Sequence, residues 1–197
     1  MDKKANTKYS INSNLAKRWS PRAFDDKIPE KEKLMSLFEA ARWAASSFNE
    51  QPWRFVVGIR GKGDTYDKLF EGLNEFNQKW AKAAPVLVFV CAKETFSHNN
   101  KPNAHHMYDC GAAMSNLCMQ ATEEGLYVHQ MAGILPDRAQ SELNVPEGFK
   151  PITAAAIGYL GSPDELPEDH KKSELVERKR KNLNEILFLG EWEQSFD

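Results

Sequence analysis

Arginine and hydroxyl side chains crowd into a short stretch near residue 20: Lys17, Arg18, Trp19, Ser20 and Arg22. The spacing R-x-S-x-R places three phosphate-competent side chains within five residues. An arginine offers a planar fork of donors that grips phosphate through two parallel hydrogen bonds, and a serine adds a neutral donor. A second basic run, Arg178-Lys179-Arg180-Lys181, lies near the other end of the chain. Two such clusters can converge on one phosphate once the chain folds. Spacing alone favours solvated charge runs, because short basic runs are common.

The segment Ala45 to Trp53, ASSFNEQPW, brings Ser46, Ser47, Asn49 and Gln51 together just before Pro52. Such a loop can present hydroxyl and amide groups to a polar ligand, or end a helix by satisfying its own backbone. At Met131-Ala132-Gly133 small residues would let a flat ligand approach the backbone, although an ordinary turn reads the same.

His105 and Asp109 stand i, i+4 on one helix face, beside His106, but no third ligand follows at a recognised metal spacing and HExxH is absent. They read as solvent-exposed or interface polar residues. No GxSxG, GxGxxG or GxxxxGK[ST] occurs, so a serine-hydrolase elbow, a Rossmann site and a P-loop are unsupported. Cys110 and Cys118 fall on or near an apolar stripe and read as packing residues. Three cysteines without a CxxC indicate neither a disulfide framework nor a zinc knuckle, and a reducing, cytoplasmic home is the simplest expectation.

The chain has 197 residues, enough for a sizeable core in one domain. Its 26 Lys and Arg against 28 Asp and Glu leave a net charge of −2, which argues against general nucleic-acid binding. No segment approaches the roughly 20 apolar residues of a membrane helix, and the polar N-terminus lacks a signal-like apolar region.

These residues need elements to position them. Residues 29–45 carry Leu34, Leu37, Phe38, Ala41 and Ala45 at helical spacing, after Pro29. Strands are expected at 53–59, 85–91 and 151–159, with a shorter one at 126–129. The run at 85–91 is apolar on both faces, as a central strand requires. Residues 64–82 predict one or two helices, and 137–143 another. Residues 104–124 predict a long helix with Met107, Gly111, Met114, Leu117, Cys118 and Ala121 as its apolar stripe and Gly125 beyond its end. Residues 161–168, GSPDELPE, read as a surface connection leading to a C-terminal tail. Strands mixed with helices in this way imply a layered α/β or α+β domain.

Six segments, in this order, resemble the FMN-dependent nitroreductase family: RWSPRAF at 18–24, EAARWAASSFNEQPWRFVV at 39–57, APVLVFV at 84–90, DCGAAMSNLCMQATEEGLYVHQMAGI at 109–134, AIGYLG at 156–161 and RKRKNLNEILFLGEW at 178–192. The resemblance spans nearly the whole chain and replaces the reading of the basic clusters as solvated charge. It implies one α+β domain over 1–197, layered α/β/α around a central mixed sheet. It also implies a homodimer with two FMN sites at the subunit interface, and a tail from about residue 162 extending over the partner.

By the resemblance, Arg18 and Arg22 hold phosphate and the flavin ring edge, and Ser20 the phosphate or ribityl region. Arg178 and Arg180 match the C-terminal phosphate-side pair. Ala45, Ser46 and Ser47 match a loop reaching the flavin from the other protomer, with Asn49 and Gln51 in the same motif. Met131, Ala132 and Gly133 match the backbone that approaches the isoalloxazine. Trp19 departs from a usual basic residue or histidine and is expected to give backbone contacts or shielding, and Ala45 replaces a common proline. Asn77 or Lys79 could supply a further polar group from the helical segments before the second strand.

The implied activity is ping-pong: NADH or NADPH passes hydride to flavin N5, then a nitroaromatic, quinone or similar planar acceptor takes its place. The flavin carries the chemistry, and no side-chain acid or base is demanded. A dehalogenase or enoate-type reductase would need a specific lid, for which 62–80 and 94–104 are candidates. A non-catalytic flavin-binding protein is the alternative from another class.

Overall fold

The structure, a computed structural model, describes residues 3–196. Its elements run α1 (Ser13–Lys17), α2 (Lys31–Arg42), β1 (Trp53–Ile59), α3 (Thr65–Glu71), α4 (Glu75–Ala81), β2 (Val86–Lys93), α5 (His106–Glu123), β3 (Tyr127–Met131), α6 (Pro136–Glu142), β4 (Phe149–Gly158) and α7 (Glu168–Leu175). The four strands form one sheet in the order β1-β2-β4-β3.

Alternation along the central strands creates the layers. Val86, Val88 and Val90 of β2, with Ala155 and Ile157 of β4, face a core completed by Leu34 and Leu37 of α2 and Met114 and Leu117 of α5. Leu87 and Phe89, with Ala154 and Ala156, face the other way onto Tyr66, Leu69, Trp80 and Ala139 from α3, α4 and α6. A strand buried on both faces must be apolar throughout, which is why β2 is an unbroken apolar run. The alanines of β4 let helices approach both faces closely. The result is the expected α/β/α arrangement.

All three ladders are antiparallel, which corrects the mixed sheet expected for this chain. The connections explain it. The α3–α4 hairpin returns the chain to the end of the sheet it left, so β2 runs against β1. The single helix α5 makes β3 run with β2, but β4 then inserts between them and opposes both.

The α5 stripe is also corrected. Cys110, Ala113, Met114, Leu117, Cys118 and Ala121 are buried, whereas Met107 and Gly111 are exposed. The buried set keeps a constant i, i+3, i+4 register. Extending that register backwards reaches Met107, which is 59% exposed. Gly125, with φ of 73°, lets the chain leave α5 in the left-handed conformation that other residues adopt at a cost.

Two short helices, α1 and α7, lie outside the sequence expectation. Both are polar and have little periodicity to read. α7 and the turn before it lie against their own chain through buried Leu166, His170 and Glu174, and Arg178 beyond them still bonds to Lys3 and Ala16 of that chain. All three cysteines are free and buried. Among the described residues no helix is long and apolar enough to cross a membrane.

Candidate active site

Residues 18–23 follow α1 in an irregular stretch with few backbone partners of its own, so side chains from elsewhere fix it. The Glu174 carboxylate accepts the backbone N–H of Arg22 at 2.9 Å and that of Ala23 at 3.1 Å. His129 Nδ1 lies 2.8 Å from the Pro21 carbonyl, which can only accept, so Nδ1 carries the proton. Burial pushes His129 down to about 4, with Arg22 and Arg18 adding to the effect and the Pro21 bond opposing it. The ring is therefore neutral at pH 7 and packs, tilted, against Trp80 with centroids 4.4 Å apart.

The side chains of this stretch diverge. Arg18 Nη1 donates to Ser20 Oγ at 3.2 Å. The Arg22 guanidinium lies 6.0 Å from the Trp80 ring centroid, within cation–π range. Arg22 Nε and Trp80 Nε1 are both buried without a partner. Unpaired buried donors are costly and mark a place where an acceptor belongs. Trp19 turns inward, edge-on to Tyr127 and beneath the Lys3 ammonium, so its side chain anchors the segment and offers nothing to a ligand.

The second basic run comes to the first. Arg18, Arg178 and Arg180 line one cleft of about 1050 Å³, together with Asn6, Tyr9 and Leu187. Burial lowers the Arg178 pKa, and the charges of Arg18 and Arg180 lower it further. None of the three is in an ion pair with a carboxylate among the described residues. Three cations lining one cleft without a carboxylate among its lining residues have the chemistry to hold an anion. Arg178 also serves the fold, because its Nη1 donates to the carbonyls of Lys3 at 2.7 Å and Ala16 at 2.9 Å and so ties both termini to α1.

Met131 ends β3 with its side chain buried, and Ala132 is exposed. The Gly133 carbonyl accepts from Asn77 Nδ2 at 3.0 Å and from the Asn74 backbone at 3.1 Å. A Cβ at Gly133 would sit 2.4 Å from Asn74 Nδ2 and 2.7 Å from Asn77 Nδ2. Asn77 thus supports this turn from beneath, while Lys79 stays exposed.

The 45–51 loop is elsewhere. Ala45 is exposed, Ser46 Oγ accepts the Gln51 N–H, and Gln51 Nε2 donates to Asn49. Phe48, Asn49 and Gln51 all have left-handed φ near 50°. Two buried carboxylates hold this unusual backbone. Asp109 of α5, 3% exposed, accepts the Ser47 N–H at 3.1 Å. Glu50 accepts from Ser97 N at 2.8 Å, Ser97 Oγ at 2.6 Å and Lys93 Nζ at 3.2 Å. Burial pushes Glu50 up, but these bonds outweigh it and hold its carboxyl below the usual range. Residues 94–97 are thereby fastened to the loop, and Phe48 closes on Phe96 and His98 in a cluster of three rings.

The two groups of predicted residues occupy opposite ends of α5. Asn14, just before the arginine segment, bonds Glu123 in the last turn. Ser47 bonds Asp109 in the first. The fourteen-residue step from Asp109 to Glu123 spans about 21 Å of helix. One chain therefore brings Arg18, Arg178 and Arg180 together with Ser20 bonded to Arg18, whereas the Arg22 side chain turns to Trp80, and neither the 131–133 turn nor Ala45, Ser46, Ser47, Asn49 and Gln51 line that cleft.

A model of the nitroreductase family matches residues 15–71 and 59–159. The chain belongs to the nitroreductase family. A crystal structure of an oxidoreductase containing FMN is 42% identical, covers 95% of each chain and superposes with a TM-score of 0.89. A nitroreductase family protein from Clostridium difficile 630 is 27% identical over 91% of this chain and 97% of its own, with a TM-score of 0.71. The major NAD(P)H-flavin oxidoreductase of Aliivibrio fischeri is 30% identical over 95 residues, 47% of this chain and 43% of that protein.

Within this nitroreductase-family chain, sequence reasoning missed the residues that hold the loops: Asp109, Glu50, His129 and Glu174. Asp109 reads as an exposed or interface polar residue but is buried. One signal was available, an acidic side chain one residue before the buried Cys110 on a helix whose partner loop is rich in N–H donors. Glu174 lies in a polar segment without pattern and gave none.

Proposed function

We propose that this chain is an FMN-dependent oxidoreductase. It draws electrons from NADH or NADPH, passes them to planar acceptors such as nitroaromatics or quinones, and works as a homodimer with flavin at the subunit interface. The observation that carries the reading is the uncompensated cluster of Arg18, Arg178 and Arg180, with Ser20 beside it. That donor set suits the dianionic phosphate of FMN.

The other features fit the same group. The orphaned donors Arg22 Nε and Trp80 Nε1 call for a buried acceptor, which a flavin's ring edge carries. The Gly133 turn, with no room for a Cβ, supports backbone approach to a flat ring. Ser46 and Ser47 do not line the arginine cleft, and the Ser47 contact on α5 lies about 21 Å along the helix from the Asn14 contact, which supports a site completed by a second copy. Exposed Leu183, Ile186, Leu187, Leu189 and Trp192 give the C-terminal segment an apolar face that a partner protomer would cover.

FMN, when bound, would supply the redox chemistry between NAD(P)H and the acceptor. The chain's own residues bind and orient. Arg18, Ser20, Arg178 and Arg180 would hold the phosphate, and Arg22 the ring edge, where a fixed cation favours negative charge on the reduced ring. His129 is neutral and its Nδ1 is committed to Pro21, so it is placed to brace the segment. Burial pushes the thiols of Cys91 and Cys110 up to about 11 and about 12, which removes them as nucleophiles at neutral pH.

A visible spectrum of the purified protein, before and after anaerobic NADH or NADPH, tests the proposal. A flavin band that bleaches with either donor is the expected result. Absence of flavin after FMN is added overturns it, and a sedimenting monomer overturns the dimer.

A further inference from the structure

Glu174 is a carboxylate 2% exposed in the last turn of α7, set beside basic side chains. Lys3 and Arg22 bond to it, Arg178 lies close to Lys3, and His170 lies one turn earlier on the same helix. A buried acid among arginines ordinarily pairs with a guanidinium. This one does not. Both of its oxygens turn to the Arg22 backbone N–H, at 2.9 and 3.0 Å, and Oε1 also takes the Ala23 N–H at 3.1 Å. The Arg22 side chain is left uncommitted, with Nε buried and without a partner.

We propose that Glu174 is a positioning residue for the cofactor: it clamps the Arg22 backbone from α7 and leaves the guanidinium unpaired for the flavin. The inference rests on the flavin reading of the 18–22 segment. The physical logic is a division of labour within one residue pair. Residues 18–23 have no helix or strand to hold them, and two adjacent N–H groups buried there need an acceptor. A neutral acceptor would satisfy the amides but leave the surrounding cations uncompensated. A carboxylate bonded to the guanidinium would neutralise the group that the ligand needs. The carboxylate on the backbone does neither. α7 is itself held in place by the Lys3 ammonium, which donates to the carbonyls of Glu174 and Val176.

The test is a double-mutant cycle on FMN affinity with the full-length chain, using Glu174→Gln and Arg22→Ala. Gln keeps one acceptor oxygen and the shape, but turns an NH₂ toward the Arg22 N–H. In Glu174→Gln the FMN dissociation constant is expected to rise at least tenfold, and in the Arg22→Ala background the same change is expected to have less than a twofold effect. Additive effects, or an affinity for Glu174→Gln within twofold of wild type, overturn the inference. The midpoint potential of bound FMN is a second readout. Loss of a negative charge and displacement of Arg22 shift it, whereas loss of fold alone lowers only the amount of flavin bound. Should the variant fail to fold, hydrogen exchange of the wild-type Arg22 and Ala23 amides decides: protection comparable to β2 supports the clamp, and rapid exchange overturns it. Wild-type protein that binds no FMN overturns the functional reading instead, so the two failures are distinguishable.

Discussion

The Asp109 carboxylate accepts the backbone N–H of Ser47 at 3.1 Å, joining the first turn of α5 to a loop whose next residue, Phe48, is 82% exposed and left-handed. Asp109 sits where the helix N-terminus favours negative charge, so the bond serves both the helix and the loop. Asp109→Ala is expected to lower unfolding free energy by about 1–3 kcal/mol, the cost of orphaning a buried N–H and losing a charged acceptor. Urea denaturation measures it. Asp109→Asn, which keeps an acceptor, should recover part of the loss.

The Arg18 side chain lines the cleft, and its guanidinium donates to Ser20 Oγ at 3.2 Å. Its removal should therefore affect ligand far more than fold. Arg18→Ala is expected to weaken FMN binding by about 1.5–3 kcal/mol while leaving the unfolding midpoint without FMN nearly unchanged, as the loss of charge-assisted hydrogen bonds requires. Fluorescence titration with FMN against a melting curve separates the two. An unchanged affinity would remove Arg18 from the site.

The strands and long helices were legible because their patterns are local. β1 falls at 53–59 as its sequence predicts, and β2, β4 and α5 lie within two residues of expectation. What escaped was set by tertiary contact. α1 and α7 are polar and short, and their positions follow from Asn14 meeting Glu123 and from Glu174 meeting Arg22, pairings no spacing encodes. Arg178 was legible as a site residue only through family resemblance, and its bonds to Lys3 and Ala16 were not legible at all. Trp19 stands within the arginine motif, yet the backbone turns it inward onto Tyr127.

His129 makes stability depend on pH. Its folded pKa of about 4 lies below the ordinary value of 6.5, because burial and the nearby arginines disfavour the charged ring. The unfolded chain therefore binds the proton more readily, and stability rises with pH between about 4 and 6.5. Acidifying from pH 7.5 to 4.5 should remove about 2 kcal/mol through this group, at 1.36 kcal/mol for each unit of differential shift. His129→Gln should flatten that part of the profile. Urea unfolding of both proteins at the two pH values gives the comparison, and identical slopes would exclude His129 as the cause.

Gly133 admits no Cβ because Asn74 and Asn77 fill the space, and both amides are engaged. Asn74 Oδ1 caps α4 by accepting the Asn77 N–H, and Asn77 Nδ2 donates to the Gly133 carbonyl. Gly133→Ala must displace one of them. A loss of about 1–3 kcal/mol is expected, the usual range for inserting a carbon into a filled space. Paired measurement of FMN affinity asks whether the turn also meets the flavin. A stability loss with unchanged affinity would make Gly133 structural only.

In the proposed dimer the C-terminal segment would link association to the arginine cleft. Arg178 and Arg180 line that cleft, and the residues that follow carry Leu183, Ile186, Leu187, Leu189 and Trp192 on the outside of a single chain. Burying even half of such side chains against a partner contributes several kcal/mol, at about 25 cal/mol per Å² of apolar surface. Truncation after Lys181 keeps both arginines and removes the apolar residues. Sedimentation equilibrium should show dimer dissociation at protein concentrations at least tenfold higher than for the intact chain, which corresponds to about 1.4 kcal/mol or more. FMN affinity should fall with it, because the half of the site carrying Ser46 and Ser47 comes from the other copy in the proposed dimer. A truncated protein that stays dimeric would place the interface elsewhere, on the exposed Met35, Trp43, Met107 and Tyr108 of α2 and α5 and the residue that follows α2.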